Sequence, residues 1–290
     1  MTECRVGPKA VALETTLLLH GVPREDALDL ASSLFEIVES EGAEPALVGV
    51  IQGRPIVGIT LDELSEMLED GPVDKVNTAN LGYALFSGQS GATTVATTME
   101  LAASAGVRFF ATGGLGGVHR GYGKQWDVSA DLAAFTRFPV AVVTSGAKLV
   151  LDVVSTREAL ETLGITVVGY GTDAFPAFYL RDSGARVDIR MDHIDTLSEF
   201  SKTEMERTGR GIVVANPIPV SHEVSSHEWE GWFAEAVAQT SHARGRETTP
   251  ALLGALHAIS GGKTLRANLE LVKSNARLAA QLAGSDGLLG

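Results

Sequence analysis

A single cysteine, Cys4, is present in this 290-residue sequence. One cysteine allows no disulfide bond within the chain and makes a zinc site built on several thiolates implausible. Basic residues are also scarce, with 23 lysines and arginines against 36 aspartates and glutamates, which gives a formal net charge of −13. Sequence-independent nucleic-acid binding depends on neutralising phosphates with basic side chains, so the charge argues against it.

Long apolar runs are missing as well. The early segment AVALETTLLLHG contains Glu14, lacks a small-residue cleavage site and is too short to cross a bilayer. We therefore expect no membrane span and no targeting segment, and we predict a cytoplasmic protein.

The abundant feature is an alternation of short β-like runs with helical patterns, in a chain that is 44% hydrophobic. It predicts an α/β fold, an α/β/α sandwich in which helices cover both faces of a mainly parallel central sheet. The later strands are predicted at 107–112, 140–144, 165–169 and 211–215, with helices at about 147–163 and 194–207 between them. From residue 227 the pattern is largely helical. No linker or repeat interrupts the chain, so we predict one domain over residues 1–290.

The first hundred residues show more local signals. Apolar periodicity predicts a helix over 24–41, and Thr60 with Glu63 has the spacing of a capping box at the start of a helix over 61–68. The segment 77–91 has neither the helical nor the strand period and is predicted to be a loop. A strand at 9–13, a hairpin of strands at 46–51 and 55–59, and a small-residue helix after residue 91 complete this part.

The stretch 111–132 combines a cluster of glycines with oxygen-bearing side chains. Glycines allow positive φ and a close approach of the backbone to a ligand, and Asp127, Ser129 and Asp131 supply oxygen atoms beside them. Either a phosphate or a divalent cation would suit this chemistry. The spacing of Asp127 and Asp131 would place both on one face of a helix, although the same acids also occur as ordinary helix-start residues. The glycine and lysine spacings match neither a nucleotide-binding loop nor a dinucleotide fingerprint.

Two further side chains follow predicted strands and are candidates for catalysis. Lys148 comes directly after an apolar strand and the small residues SGA, where burial would make its charge costly and free its amine as a nucleophile. Glu14 ends the first strand, and ligands of open α/β sheets collect at such carboxyl ends. A lysine with its head in solvent and a helix-capping glutamate are the simpler readings. Lys75 alone is more typical of a solvated lysine, and His20 and His119 could ligate a metal or transfer protons, although a satisfied or surface histidine is the commoner case.

Eight segments together resemble the pseudouridine-5′-phosphate glycosidase family, which includes indigoidine-cluster proteins. The similar segments are ALETTLLLHGVP at 12–23, GATTVATTM at 91–99, FATGGLGGVHRG at 110–121, DVSADL at 127–132, SGAK at 145–148, VVANPIP at 213–219, ETTPALL at 247–253 and ANLELVKSNA at 267–276. They extend over nearly the whole chain.

The resemblance implies a metal-dependent enzyme, with manganese as the expected ion, that makes or breaks the C–C bond between ribose 5-phosphate and uracil. It also implies a homotrimer. By the same resemblance, Lys148 attacks the anomeric carbon to give a Schiff base after ring opening, and Glu14 protonates the ring oxygen. Asp127 takes the metal position. The substrate-binding positions would be Lys75, Val95, Ser129, Ala130, Asp131 and Asn275, with Asn268 as an alternative to the last.

One segment departs from the family pattern. Where relatives read KVSRRDLP or KVAARDLP, this chain reads KVNTANLG from Lys75 to Gly82, without the arginine and the aspartate. The departure leaves a second hypothesis open, in which the chain joins ribose 5-phosphate to a non-uracil aromatic or heterocyclic acceptor of a C-nucleoside antibiotic pathway. A third hypothesis is a relative that binds a sugar phosphate without turning it over.

Overall fold

The central sheet is built from the apolar runs of the sequence. The computed structural model describes residues 1–121, 123, 126–240 and 248–285. Strands β2, β7, β8 and β11 are buried along their whole length, because each has a neighbour on both sides and helices over it. The strands are β1 (Glu3–Cys4), β2 (Ala10–Glu14), β3 (Glu44–Ile51), β4 (Arg54–Ile59), β5 (Asp74–Val76), β6 (Gly91–Thr93), β7 (Phe109–Ala111), β8 (Ala141–Thr144), β9 (Val167–Tyr170), β10 (Ile189–Met191) and β11 (Ile212–Ala215).

Helices connect these strands and cover them. They are α1 (Thr15–His20), α2 (Ala27–Ser40), α3 (Leu61–Glu69), α4 (Leu81–Phe86), α5 (Val95–Ser104), α6 (Ala130–Ala134), α7 (Val153–Thr162), α8 (Ile194–Thr208), α9 (Ser226–Gln239), α10 (Thr248–Ile259) and α11 (Lys263–Ser285). Within the described ranges, no helix is both long enough and apolar enough to cross a membrane.

The sheet is mixed, and most of its strand pairs are parallel. Its order is β1-β4-β3-β2-β7-β8-β11-β9-β10, and β6 pairs with β3 and β5 beside this path. Strand β3 runs antiparallel to β4 and β6, whereas the other pairs are parallel. The carboxyl ends of β2, β7, β8 and β11 therefore meet along one edge of the sheet.

Two helical layers pack on this sheet. Helix α11 lies on β2, β7 and β8 and also contacts α2 and α8, while α5 lies on β2, β3 and β4 beside α6. Residues seven apart share one face of a helix, and both Asn268 and Asn275 lie on the buried face of α11. The predicted α/β/α sandwich with a helical C-terminal part is confirmed.

Most local predictions agree with the structure. The hairpin is β3 and β4, and the capping box is present, because the Thr60 hydroxyl accepts from the Glu63 amide while the Glu63 carboxylate accepts from the Thr60 amide. The prediction of a loop over 77–91 was wrong in part, since α4 forms inside it. The helix predicted from 147 begins only at Val153, after a turn that carries Lys148. The single domain over residues 1–290 stays a prediction.

Candidate active site

The site lies where parallel strands end. Glu14 is the last residue of β2, Thr112 follows β7, and Lys148 follows β8 by four residues. Since β2, β7 and β8 are consecutive in the sheet, these side chains converge on one edge.

A cavity of about 280 Å³ opens at this edge, and all but one of the sequence-predicted binding residues with described side chains reach it or stand beside it. Side chains of both charges meet here, from Glu14, Lys75, Asp131 and Lys148. The remaining wall comes from α1, α5 and the segment before α6. Its lining residues are Glu14, Thr16, Lys75, Asn77, Thr94, Val95, Gly116, His119, Val128, Ser129, Ala130, Asp131, Lys148 and Leu151.

The Glu14 carboxyl is held in a buried position. Its side chain is 5% exposed, and the Thr112 hydroxyl donates to its Oε1 over 2.5 Å. Burial raises the pKa of Glu14 above its ordinary value, while the Lys148 ammonium and the Thr112 hydroxyl oppose part of that rise. A carboxyl with a raised pKa keeps its proton at higher pH, so Glu14 has the character of an acid catalyst.

Lys148 is presented by a tight turn after β8. Gly146 in this turn has φ of +78°, and the backbone continues as a bridge in which the Leu115 amide donates to the Gly146 carbonyl and the Lys148 amide donates to the Leu115 carbonyl. The turn therefore fixes the backbone of Lys148 against the glycine-rich segment on the neighbouring strand. Its side chain is half-buried in the cavity wall.

Lys75 reaches the same cavity from β5. Burial and the nearby Lys148 ammonium lower the pKa of the Lys75 amine, and Glu14 acts in the opposite direction. The segment after Lys75 is held by the side chain of Asn80. Its Nδ2 donates to the Lys75 backbone carbonyl, and its Oδ1 accepts from the Asn77 backbone amide. This pair orders the segment in which the chain departs from its family pattern.

Asp131 ties two walls of the cavity together. It is 6% exposed, its Oδ1 accepts from the Ala96 amide at the start of α5, and its Oδ2 accepts from the Gly116 amide. A Cβ at Gly116 would lie 2.4 Å from the Ser129 hydroxyl oxygen, so a glycine is required for this close approach. We expected positive φ along the glycine cluster, yet in its described part the positive values are confined to Gly121.

A smaller cavity of about 50 Å³, the inner cavity, adjoins the first one, the outer cavity, and shares part of its lining. Glu14, Thr16, Lys75 and Lys148 line both cavities and so stand between them. The inner wall adds the aromatic ring of Phe178 and two polar side chains, His20 and Asn268. Its full lining is Glu14, Thr16, Leu17, His20, Gly21, Lys75, Thr112, Gly113, Gly114, Lys148, Phe178 and Asn268.

The two asparagines of α11 differ in what they face. Asn275, the predicted substrate residue, is 0% exposed and is hydrogen-bonded to strand ends rather than brought to either cavity. Asn268 lines the inner cavity, donates its amide to the Gly21 carbonyl, and has a buried Oδ1 with no hydrogen-bond partner in the described structure. An acceptor left in this state is suited to a donor on a ligand.

Comparison with known families gives a match over nearly the whole chain. Residues 4–285 match the model of a family described as indigoidine synthase A like protein. The chain belongs to the indigoidine synthase A-like family. The resemblance found in the sequence is thereby confirmed.

Several curated and solved proteins are similar to this chain over most of its length. A pseudouridine-5′-phosphate glycosidase of Dinoroseobacter shibae is 43% identical over 94% of this chain and 90% of its own length, and one of Methylobacterium nodulans is 45% identical over 96% and 83%. An indigoidine synthase A-like protein of Thermotoga maritima superposes with a TM-score of 0.90, 35% identity and coverage of 98% and 95%. The prealnumycin C-glycosynthase AlnA, solved with ribulose 5-phosphate, superposes with a TM-score of 0.89 at 32% identity. The match covers 98% of this chain and 97% of that one.

Few side chains near the cavity could bind a metal ion. Among the described residues, no three His, Cys, Asp or Glu side chains gather to hold a metal. Asp127 lies outside α6, so the expectation that it shares a helix face with Asp131 was wrong, and its Oδ2 lies 3.7 Å from His119 Nδ1. A hard cation that keeps several waters needs only one or two carboxylates, so an exposed Asp127 fits such an ion and not an all-protein cage.

Sequence reasoning missed Thr112 and the role of Asn268. Thr112 lies inside the segment FATGGLGGVHRG, but only the structure shows that its hydroxyl contacts Glu14 on a neighbouring strand. No local pattern indicates that contact.

Proposed function

We propose that this chain is an enzyme that makes or breaks the C–C glycosidic bond between ribose 5-phosphate and uracil, through a Schiff base on Lys148. The observation that carries the proposal is the position of Glu14 and Lys148, which line both the outer and the inner cavity. The bond that reacts would lie between them, with the sugar phosphate on one side and the base on the other. The similarity to curated pseudouridine-5′-phosphate glycosidases supports the same reaction.

The C–C glycosidic bond has no leaving oxygen that an acid could protonate, so the proposed steps begin by opening the sugar ring. Lys148 attacks the anomeric carbon, the bond from that carbon to the ring oxygen breaks, and Glu14 gives its proton to that oxygen. The attached nitrogen gives a proton to the Glu14 carboxylate, and its lone pair then forms a C=N bond while the bond to the base carbon breaks. The base carbon takes up that proton. Water adds to the Schiff base and releases ribose 5-phosphate with free Lys148. The reverse sequence joins the two parts.

The outer cavity provides the phosphate end. Helix α5 begins at Val95 in its wall, and the first amides of a helix attract anions. The Thr94 hydroxyl beside it is buried and has no hydrogen-bond partner in the described structure. Ser129, Ala130, Lys75 and His119 line the same space, which suits a phosphorylated sugar.

The inner cavity provides the base end. Its volume of about 50 Å³ is roughly the room of three or four water molecules, which favours one six-membered ring over fused rings. Uracil carries N–H donors that the free Asn268 oxygen would accept, and Phe178 offers a ring face. These contacts favour uracil as the acceptor.

Manganese, a homotrimer and a cytoplasmic location belong to the same proposal. Asp127, with His119 beside it, would hold the ion at the mouth of the outer cavity. When bound, a divalent ion there neutralises phosphate charge and orients the sugar phosphate.

Trapping tests the mechanism directly. Wild-type protein incubated with ribose 5-phosphate and borohydride should carry the reduced sugar on Lys148, as mapped by mass spectrometry, and Lys148→Arg should carry none. Adduct at another lysine, or turnover without adduct, would contradict the proposed step. Sugar-phosphate binding with neither adduct nor turnover would instead support a relative that only binds.

Two observations favour a second acceptor. The outer cavity is lined at Asn77 by the segment that departs from the family pattern, and the C-glycosynthase AlnA shares the fold at 32% identity. Incubation with pseudouridine 5′-phosphate and manganese separates the two. Release of uracil supports the first acceptor, and its absence from protein that forms the Lys148 adduct supports a different aromatic or heterocyclic one.

A further inference from the structure

The amide of Asn275 uses every polar atom it has. Its nitrogen donates to the Thr112 carbonyl over 2.8 Å and to the Ser145 hydroxyl over 3.2 Å, and its oxygen accepts from the Asn216 amide over 2.9 Å. The side chain is 0% exposed. A fully satisfied buried network of this kind fixes one geometry of the groups it joins.

Those partners sit at three neighbouring strand ends. Thr112 follows β7, Ser145 follows β8 and Asn216 follows β11, and these strands are adjacent in the sheet. A second set of bonds crosses the same ends, because the Ser145 hydroxyl donates to the Asn216 carbonyl and the Ser145 amide donates to the Gly113 carbonyl. One side chain of α11 is thus hydrogen-bonded to three strand ends.

The network reaches both residues of the proposed reaction. Thr112, whose carbonyl Asn275 holds, donates its hydroxyl to Glu14. Ser145 begins the turn that ends three residues later at Lys148. A change at Asn275 is therefore transmitted to the acid along one path and to the nucleophile along the other.

We propose that Asn275 is a positioning residue that sets Glu14 and Lys148 relative to each other, with Thr112 as the link to Glu14. The inference rests on the proposed function and adds to it a residue that contacts no substrate. Thr112 acts on Glu14 through a hydrogen bond, and the charged groups that act on it are Lys148, Asp131 and Lys75. The variants described below leave these three charged residues unchanged.

The first test replaces Asn275 by the apolar side chain of leucine. In Asn275→Leu we expect kcat to fall at least about tenfold while KM stays within about twofold, since substrate contacts remain. Ser198→Ala is the matched control, because the Ser198 hydroxyl donates to the Leu282 carbonyl and so anchors the same helix away from the site. It should lower the melting temperature without lowering kcat. Folded Asn275→Leu with unchanged kcat would overturn the proposal.

The second test works even where Asn275→Leu fails to fold. In Thr112→Val the Glu14 carboxylate loses a donor, so the pKa of Glu14 rises and the basic limb of the kcat/KM profile moves to higher pH. Thr112→Ser keeps the hydroxyl and should restore the wild-type limb. An unmoved limb in Thr112→Val contradicts the link. Wild-type protein that neither forms the adduct nor releases base would instead contradict the proposed function itself.

Discussion

Glu14 and Lys148 come from strands that do not pair with each other. Strand β7 lies between β2 and β8, and its following residue, Thr112, touches Glu14. The proposed acid is therefore contacted from the middle strand, while the backbone of the proposed nucleophile is fixed by its own turn. The two groups still act on each other, since the Lys148 ammonium opposes part of the rise that burial causes in the pKa of Glu14.

Removing the Asp127 carboxylate should weaken the binding of the metal ion. In Asp127→Asn we expect the manganese concentration for half-maximal activity to rise at least about tenfold, because the carboxylate is the charged donor of the proposed site. Calorimetric titration of manganese into metal-free protein should show the same weakening. The exposed Asp62 offers a control, and Asp62→Asn should bind manganese as wild type does. Equal affinity in both variants would place the ion elsewhere.

How far the site could be predicted depends on the kind of signal. Glu14 ends one apolar run and Lys148 follows another after three small residues, so the sequence indicates that they lie at strand ends. Asn275 and Asn268 share the buried face of α11, and a helical period cannot tell which of them faces a cavity. That choice depends on how far α11 extends past the strand ends, which is set by tertiary packing.

At the scale of single elements, local chemistry explains most of what the sequence predicts. The capping box of α3 is complete within four residues, and only residues 52 and 53 separate β3 from β4 in the hairpin. The segment 77–91 was harder because α4 has only six residues, too few for a period to show. The start of this segment is ordered by hydrogen bonds between the Asn80 side chain and the backbone of Asn77 and Lys75. Hydrophobic periodicity gives no sign of such bonds.

The turn before Lys148 should depend on a glycine for two reasons. At Gly146 φ is +78° and a Cβ would lie 1.8 Å from the Pro176 carbonyl oxygen, whereas at Gly171 φ is +64° and nothing lies within 4 Å. Gly171→Ala should cost roughly 1–2 kcal/mol in the free energy of unfolding, and Gly146→Ala more than about 3 kcal/mol with loss of the Lys148 adduct. Urea denaturation measures both. Equal costs would mean that the clash is relieved without strain.

The joint between α10 and α11 should make stability depend on pH. His257 Nδ1 lies 2.8 Å from the Thr264 hydroxyl oxygen, and burial lowers the pKa of His257 below its ordinary value of 6.5. The unfolded chain then binds a proton that the folded chain does not, so stability present above pH 6.5 is lost as the pH falls through the folded pKa.

The melting temperature should therefore fall between about pH 7.5 and about pH 5.5, and fall less in His257→Gln. His222→Gln, at an exposed histidine, should keep the wild-type fall. His20, whose pKa is lowered by burial and by Lys75, contributes in the same direction and remains in both variants. A wild-type fall in His257→Gln would assign the effect to other groups.

At the scale of the whole molecule, an acidic chain is proposed to bind an anionic substrate. The net charge is −13, yet Lys75, Lys148 and His119 meet in one cavity. The attraction for a sugar phosphate must therefore be local, which agrees with a small-molecule substrate and not with nucleic acid.

The proposed assembly can be measured at the same scale. Light scattering should give three times the chain mass of 30.4 kDa across a dilution series in which activity per chain is constant. A mass of one chain in fully active protein would contradict the homotrimer. The measurement does not depend on the acceptor or on the metal, so it tests this part of the proposal separately.

The position of α11 has a consequence for the nascent chain. Strands β2, β7 and β8 leave the ribosome long before residues 263–285, so Glu14 and Lys148 are synthesised early while Asn275 and Asn268 arrive late. A chain halted before residue 263 contains Lys148 without the helix whose Asn275 is hydrogen-bonded to three strand ends. Reactivity toward a sugar phosphate is therefore expected to begin only when translation has passed α11, so that synthesis itself times the onset of chemistry.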